Sequence, residues 1–166
     1  MIMDARPQIK IELSVGDKIV EGISWVVALG MMCFAVWSYT HLPPTIPMHF
    51  DGAGKPDNYG GKASIFVLPL IGSILFGVLT VLNNYPQSFN YPTEITPENA
   101  QKKYTIATRM IRALKLVIAA IFFSILLGTY ATATGQASGL GVAFLPVTVG
   151  LLFVVLAYYI VKLIKA

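Results

Sequence analysis

Charge is what this chain has least of. Only 12% of its 166 residues are Asp, Glu, Lys or Arg, against about 25% in soluble domains, while 55% are hydrophobic. No charged residue occurs between Glu21 and Asp51, between Lys62 and Glu94, or between Lys115 and Lys162. Each gap exceeds the roughly 20 apolar residues that cross a bilayer core of about 30 Å. A water-soluble globule is excluded, and a multi-pass membrane protein is expected. Cysteine is almost missing too: Cys33 stands alone, which excludes an intrachain disulfide, and it lies in an apolar stretch where cysteine acts as a small hydrophobe. The net charge of +4 is no sign of nucleic-acid binding, because the basic residues flank apolar segments instead of interleaving with aromatics. So short a chain leaves little material for a soluble domain, and a single membrane domain over 1–166 is expected.

What is present reads as an all-α, integral membrane four-helix bundle with spans at about 19–40, 63–82, 114–134 and 140–163. The first is too long for a signal-peptide core of about 7–15 residues, so it reads as a retained helix. Trp25 at one end, and Trp37 with Tyr39 at the other, fit the two aromatic belts. Pro69 in the second span predicts a kink that neighbouring helices make tolerable. The turn formers from Thr134 to Gly139 separate the last two spans. Gly128, Thr129, Thr132 and Thr134 supply small and hydroxyl side chains for close helix approach. Thr96, Pro97 and Glu98 form a helix start signal ahead of the third span.

Four spans put both termini on one side. Arg6, Lys10, Lys18, Lys102, Lys103, Arg109, Arg112, Lys115, Lys162 and Lys165 share that side, against Lys55 and Lys62 opposite. The positive-inside rule makes the rich side cytoplasmic in a cell membrane. Residues 83–113 then form a cytoplasmic loop and 41–62 an outer one. In the cytoplasmic segment, Ile106, Met110, Ala113, Leu114 and Val117 predict an interfacial face at helical spacing. Arg109, Arg112 and Lys115 read as snorkelling anchors. Glu21 reads as a solvated interface residue, and Lys102 with Lys103 as part of a solvated loop.

Polar groups outside the cytoplasm gather in the Pro/Gly-rich extracytoplasmic loop. Pro43, Pro44 and Pro47 stiffen its first half in an extended form. Asp51-Gly52, Gly54 and Pro56-Asp57 supply turn chemistry. The run Leu42-Pro43, Ile46-Pro47, His49-Phe50, Gly54, Pro56-Asp57 and Lys62 reproduces the pattern LP-x-x-IP-x-HF-x-x-x-G-x-PD-x-x-x-x-K. It closely resembles a bacterial membrane family of unknown function typified by the immunity protein against the sporulation-delaying toxin. Asn90-Tyr91-Pro92, Glu98-Asn99, Tyr104 and Ala107-Thr108-Arg109 also resemble short members of that family. The further spans and the Arg-Thr-Pro-Trp-Thr run of immunity-type members are absent here. The resemblance implies a small bacterial integral membrane protein whose loop faces outward.

Several readings of this loop stand open. His49, Phe50, Asp57 and Lys62 form a candidate ligand-binding set. His41, His49, Asp51 and Asp57 are ligand types for a borderline cation, although their spacing matches no standard zinc pattern. His49 with Asp57 supplies a base and its orienter but no nucleophile. Structurally, His49 and Phe50 can dock back into the bundle mouth, with His49 bonded to Asp57 or a carbonyl and Lys62 closing an ion pair at the top of the second span. The favoured expectation is a non-enzymatic envelope protein without cofactor, whose partners are the lipid bilayer and an extracytoplasmic peptide or toxin. The alternatives are a small transporter subunit, in which a homo-oligomer would build a pathway from Ser124, Thr129, Tyr130 and Thr132, and a metal-dependent membrane enzyme.

Overall fold

Helix start signals and turn residues, more than the apolar spans, decide where each element begins and ends. The computed structural model describes residues 6–166. Helix α1 covers Val15–His41. Ser14 caps it, accepting from Asp17 N–H at 3.2 Å, and the Asp17 carboxylate accepts from Ser14 N–H in return, a reciprocal cap that satisfies orphan donors. Strands β1 (Thr45–Phe50) and β2 (Pro56–Gly61) follow, then a 3-10 turn over Lys62–Phe66 and helix α2 over Val67–Leu82. Helix α3 runs unbroken over Pro97–Ala133 and α4 over Phe144–Ile164. Among the described residues four helices are long and apolar enough to cross a membrane; the chain is a mostly helical, multi-pass membrane protein.

The differences from expectation have local causes. The outer loop is a β-hairpin: β1 and β2 pair antiparallel from Thr45 opposite Gly61 to Phe50 opposite Pro56, with irregularities flanking His49. Pro47 has no N–H for the ladder. Pro69 sits in the first turn of α2, where its missing N–H has no helical acceptor to lose, and the preceding turn is 3-10 instead of α-helical. The last helix starts at Phe144 instead of 140, because Gly139 and Gly141 take positive φ of 149° and 86°. Helix α3 does start at Pro97, with the Asn99 side chain accepting from Thr96 N–H at 3.0 Å. Its 37 residues are about 55 Å long at 1.5 Å per residue, so it extends beyond the hydrocarbon.

The buried face of α1 is a row of mostly small residues, Ser24, Ala28, Met31, Ala35 and Ser38, at the three- and four-residue spacing that lets membrane helices approach closely. It packs chiefly on α3, which also contacts α2 and α4. One apolar cluster joins Met31, Ala35 and Leu126 to Leu42, Ile46 and Ile65, so the hairpin is seated on the bundle through Ile46. The opposite edge of the hairpin is tied by its tip. Asp51 accepts from Ala53 N–H and Lys55 N–H at 2.9 and 2.8 Å, which leaves Gly54 at φ 74° with its carbonyl accepting from Leu140 N–H at 2.7 Å. A β-carbon on Gly54 would strike the backbone of Gly141.

Gly54→Ala should therefore destabilise the protein by about 1–2 kcal/mol from the backbone conformation alone, with the lost docking added. Gly77→Ala, on a helix face with open space around it, should be neutral or slightly stabilising. Thermal unfolding of both variants in detergent checks this; equal melting temperatures would contradict it.

Candidate functional site

Two polar assemblies stand at opposite ends of the bundle. At the hairpin end, His49 Nδ1 donates to Asp57 Oδ1 at 2.6 Å, and both side chains are exposed, 65% and 45%. The pairing is set by the hairpin register, which puts His49 opposite Asn58, next to Asp57. It leaves Nε2 free to meet a partner. Behind the strand lies a cavity of about 330 Å³, enclosed by the hairpin, the start of α2, one face of α3 and the start of α4. Its wall is largely apolar, including Ile46, Phe50, Ile65, Leu126 and Phe144, with His49, Asp51, Ser64 and Thr129 among the polar members. Among the described residues the buried Ser64 hydroxyl has no hydrogen-bond partner there, His49 included.

The residues singled out from sequence separate into those the fold gathers and those it does not. His49, Phe50 and Asp57 share the hairpin, and Phe50 is half-buried at the cavity. Lys62 closes no ion pair among the described residues; its ammonium sits 4.6 Å from the centre of the Tyr39 ring, a cation–π contact at the base of the hairpin. His41 ends α1, stacked on Trp37 at 4.4 Å and donating from Nδ1 to the Trp37 carbonyl. Asp51 is occupied by the turn amides. The four-residue metal set is therefore not assembled: among the described residues no three His, Cys, Asp or Glu side chains converge.

At the other end, the charges expected as separate anchors are joined. Arg109 forks onto Asp17, with Nε to Oδ1 at 2.9 Å and Nη2 to Oδ2 at 3.1 Å. Lys115 is 1% exposed in its side chain. It donates to Glu21 on α1 and, at 3.1 Å, to Thr80 Oγ1 on α2, and it lies 4.5 Å from the Phe76 ring centre. Arg112 is buried between the two carboxylates. Glu21 is thus a structural partner instead of a solvated residue. Lys103 is also buried, donating to Thr93 Oγ1 at 2.7 Å and the Glu94 carbonyl at 2.9 Å. The expected interfacial stripe of Ile106, Met110 and Leu114 is only half-buried, while the inner face of α3 carries Thr108, Arg112 and Lys115. A sequence signal for this existed: Asp17 and Glu21 stand four apart and Arg109, Arg112 and Lys115 three apart, two complementary stripes at helical spacing.

Residues 26–72 match the family model described as a domain of unknown function, DUF1648. The matched stretch runs from within α1 through the hairpin to early α2. It includes one wall of the hairpin cavity and excludes α3 and α4. The chain is also similar to an uncharacterized protein of Archaeoglobus fulgidus, 30% identical over 76 residues, which is 40% of this chain and 42% of that one. The chain thus spans less than half the length of the curated relative it matches. No solved structure matches.

Removing one partner of a buried ion pair strands the other charge, at a cost of about 3–5 kcal/mol. Glu21→Gln and Lys115→Met should each destabilise the bundle on that scale, and the double variant should lose much less than the sum. Unfolding curves for the full cycle in one detergent test this; additive losses would refute the coupling.

Proposed function

We propose that this chain is a non-enzymatic protein of the bacterial cell membrane, with both termini cytoplasmic, that captures an amphipathic peptide at its outer end. The observation that carries the proposal is the cavity beneath the hairpin, apolar in its depth and bordered by the His49–Asp57 pair. Its volume of about 330 Å³ falls at the lower end of small-ligand pockets, about 300–1,000 Å³. An apolar side chain of a cationic peptide suits the cavity, while Asp57 and the imidazole edge of His49 suit its basic groups. The loop's resemblance to the toxin-immunity family lies within the matched stretch 26–72, which supports a protective or sensing role.

A second reading, a small transporter subunit, is favoured by one observation. The Glu21–Lys115 contact is an ionisable pair held inside the bundle, where such groups often mark ion paths.

A strain lacking this protein should be more sensitive to an added cationic amphipathic peptide. The wild-type gene should restore survival, whereas His49→Ala and Asp57→Ala should insert normally and fail to restore it. An unchanged deletion strain, or full rescue by both variants, would overturn the binding reading. For the transporter reading, the purified chain in liposomes should carry a proton current that Glu21→Gln abolishes; no current above empty liposomes removes it.

A further inference from the structure

The end of the bundle that bears the termini holds a second cavity, of about 270 Å³, which the proposed function leaves unused. Lys10 and Leu13 of the arm before α1 form one side of it, Asn83, Asn84 and Pro86 after α2 another, and Arg112 of α3 its wall. The arm is held across the α2–α3 connection by Arg6, which donates to the carbonyls of Gln87 and Phe89 at 3.1 and 2.6 Å.

Arg112 is the anomaly in this cavity. Its side chain is 8% exposed, yet among the described residues its guanidinium makes no hydrogen bond, and Nη1 is buried without any partner. Nη1 lies 4.0 Å from Asp17 Oδ1 and Nε lies 3.8 Å from Glu21 Oε2, both beyond hydrogen-bond distance. Those carboxylates are committed elsewhere, Asp17 to Arg109 and Ser14, Glu21 to Lys115. Arg109, Arg112 and Lys115 face Asp17 and Glu21, so the cluster carries one positive charge more than it balances. A guanidinium cannot shed its proton, and leaving its donors empty away from water is costly.

The neighbouring helix end offers no relief. Each of the last carbonyls of α2 already has a donor: Leu79 from Asn83 N–H, Val81 from Asn84 N–H, Leu82 from Tyr85 N–H, and Thr80 from the Asn84 amide at 3.3 Å. The Asn83 side-chain oxygen, in the same wall, is buried and has no donor among the described residues. The cavity therefore presents an unfilled buried cation, an unfilled acceptor and, at its rim, the exposed ammonium of Lys10.

From this we propose that the cavity is a binding site for a phosphate-bearing anion, with two phosphate oxygens on the Arg112 guanidinium and Lys10 as the second charge. A guanidinium fork matches paired phosphate oxygens. A hydroxyl on the same ligand would donate to Asn83. A glycerophosphate headgroup of an anionic phospholipid has both, and Leu13 provides an apolar edge beside it; inorganic phosphate shares the anionic part.

The test uses the full chain in neutral detergent. Native mass spectrometry with added phosphatidylglycerol or phosphatidylcholine should show retention of phosphatidylglycerol alone, weakened in Lys10→Gln and lost in Arg112→Gln. Thermal unfolding with inorganic phosphate, against chloride at equal ionic strength, distinguishes the source. A phosphate-dependent rise in melting temperature that Lys10→Gln diminishes, without lipid retention, assigns the site to the free anion. If Arg112→Gln does not accumulate, Lys10→Gln alone decides. Equal retention of both lipids with no phosphate effect, or variants that bind like the wild type, would overturn the proposal.

Discussion

A lysine ammonium kept from water between three helices is the constraint on which the bundle depends. Lys115 on α3 reaches Glu21 on α1 and Thr80 on α2, and the Thr80 hydroxyl in turn donates a hydrogen bond to the Phe76 carbonyl at 2.7 Å. Taking an ammonium and a carboxylate out of water costs several kcal/mol per ion, which only good geometry repays. The contact is therefore satisfied at one relative height of the three helices and at few others. In a bilayer this matters more than in water, because lipid tails are as apolar as leucine and give helices no hydrophobic reason to choose one register. Asp17 extends the same control one turn outward by capping α1 and gripping Arg109 with the same carboxylate.

The hairpin end solves the opposite problem with almost no charge. Its contacts are apolar seating by Leu42 and Ile46, backbone hydrogen bonds and close approach of glycines. Lys62 N–H donates to the Pro44 carbonyl at 2.9 Å at the base, and Leu140 N–H to Gly54 at the tip. A two-stranded hairpin alone is marginal in water. Pinned at both ends it becomes a roof, and the space between the pins that no large side chain fills is the cavity. The tip contact depends on Gly54, Gly139 and Gly141 lying backbone to backbone, since a β-carbon on Gly54 or Gly139 would meet the opposing chain.

The membrane spans were legible in the sequence because their signal is additive: three long uncharged gaps and a turn between Thr134 and Gly139 admit few other divisions. The cap at Thr96-Pro97 was legible for a local reason, since every residue of the signal lies within one turn. The hairpin was not, because Pro47, the irregular register around His49 and the glycines of β2 erase the alternation by which a strand is recognised. The His49–Asp57 bond needed only a loop that folds on itself. The ion network was missed because Asp17 and Arg109 are 92 residues apart. A charge near the end of an apolar run has the same sequence appearance whether it snorkels to water or turns inward. Only matching the two charged stripes face to face distinguishes these cases.

The walls of the hairpin cavity are unequal, and that inequality bears on how anything enters it. Helices α1, α2 and α3 are fixed to one another by the network and by the apolar cluster around Met31 and Leu126. Helix α4 contributes only Leu163 to the buried residues and packs chiefly on α3; its remaining surface faces lipid. Elements with little buried contact open at lower free energy than the core they border. Phe144 and Leu145, which close one side of the cavity, stand at the start of that loosely held helix, directly after Gly139 and Gly141. Displacing this wall uncovers few fully buried side chains, whereas displacing the hairpin unseats Ile46 from the core. In the proposed binding role, the edge at His49 and Asp57 rests on a hairpin seated by Ile46, while the apolar depth is closed on one side by a helix that buries only Leu163.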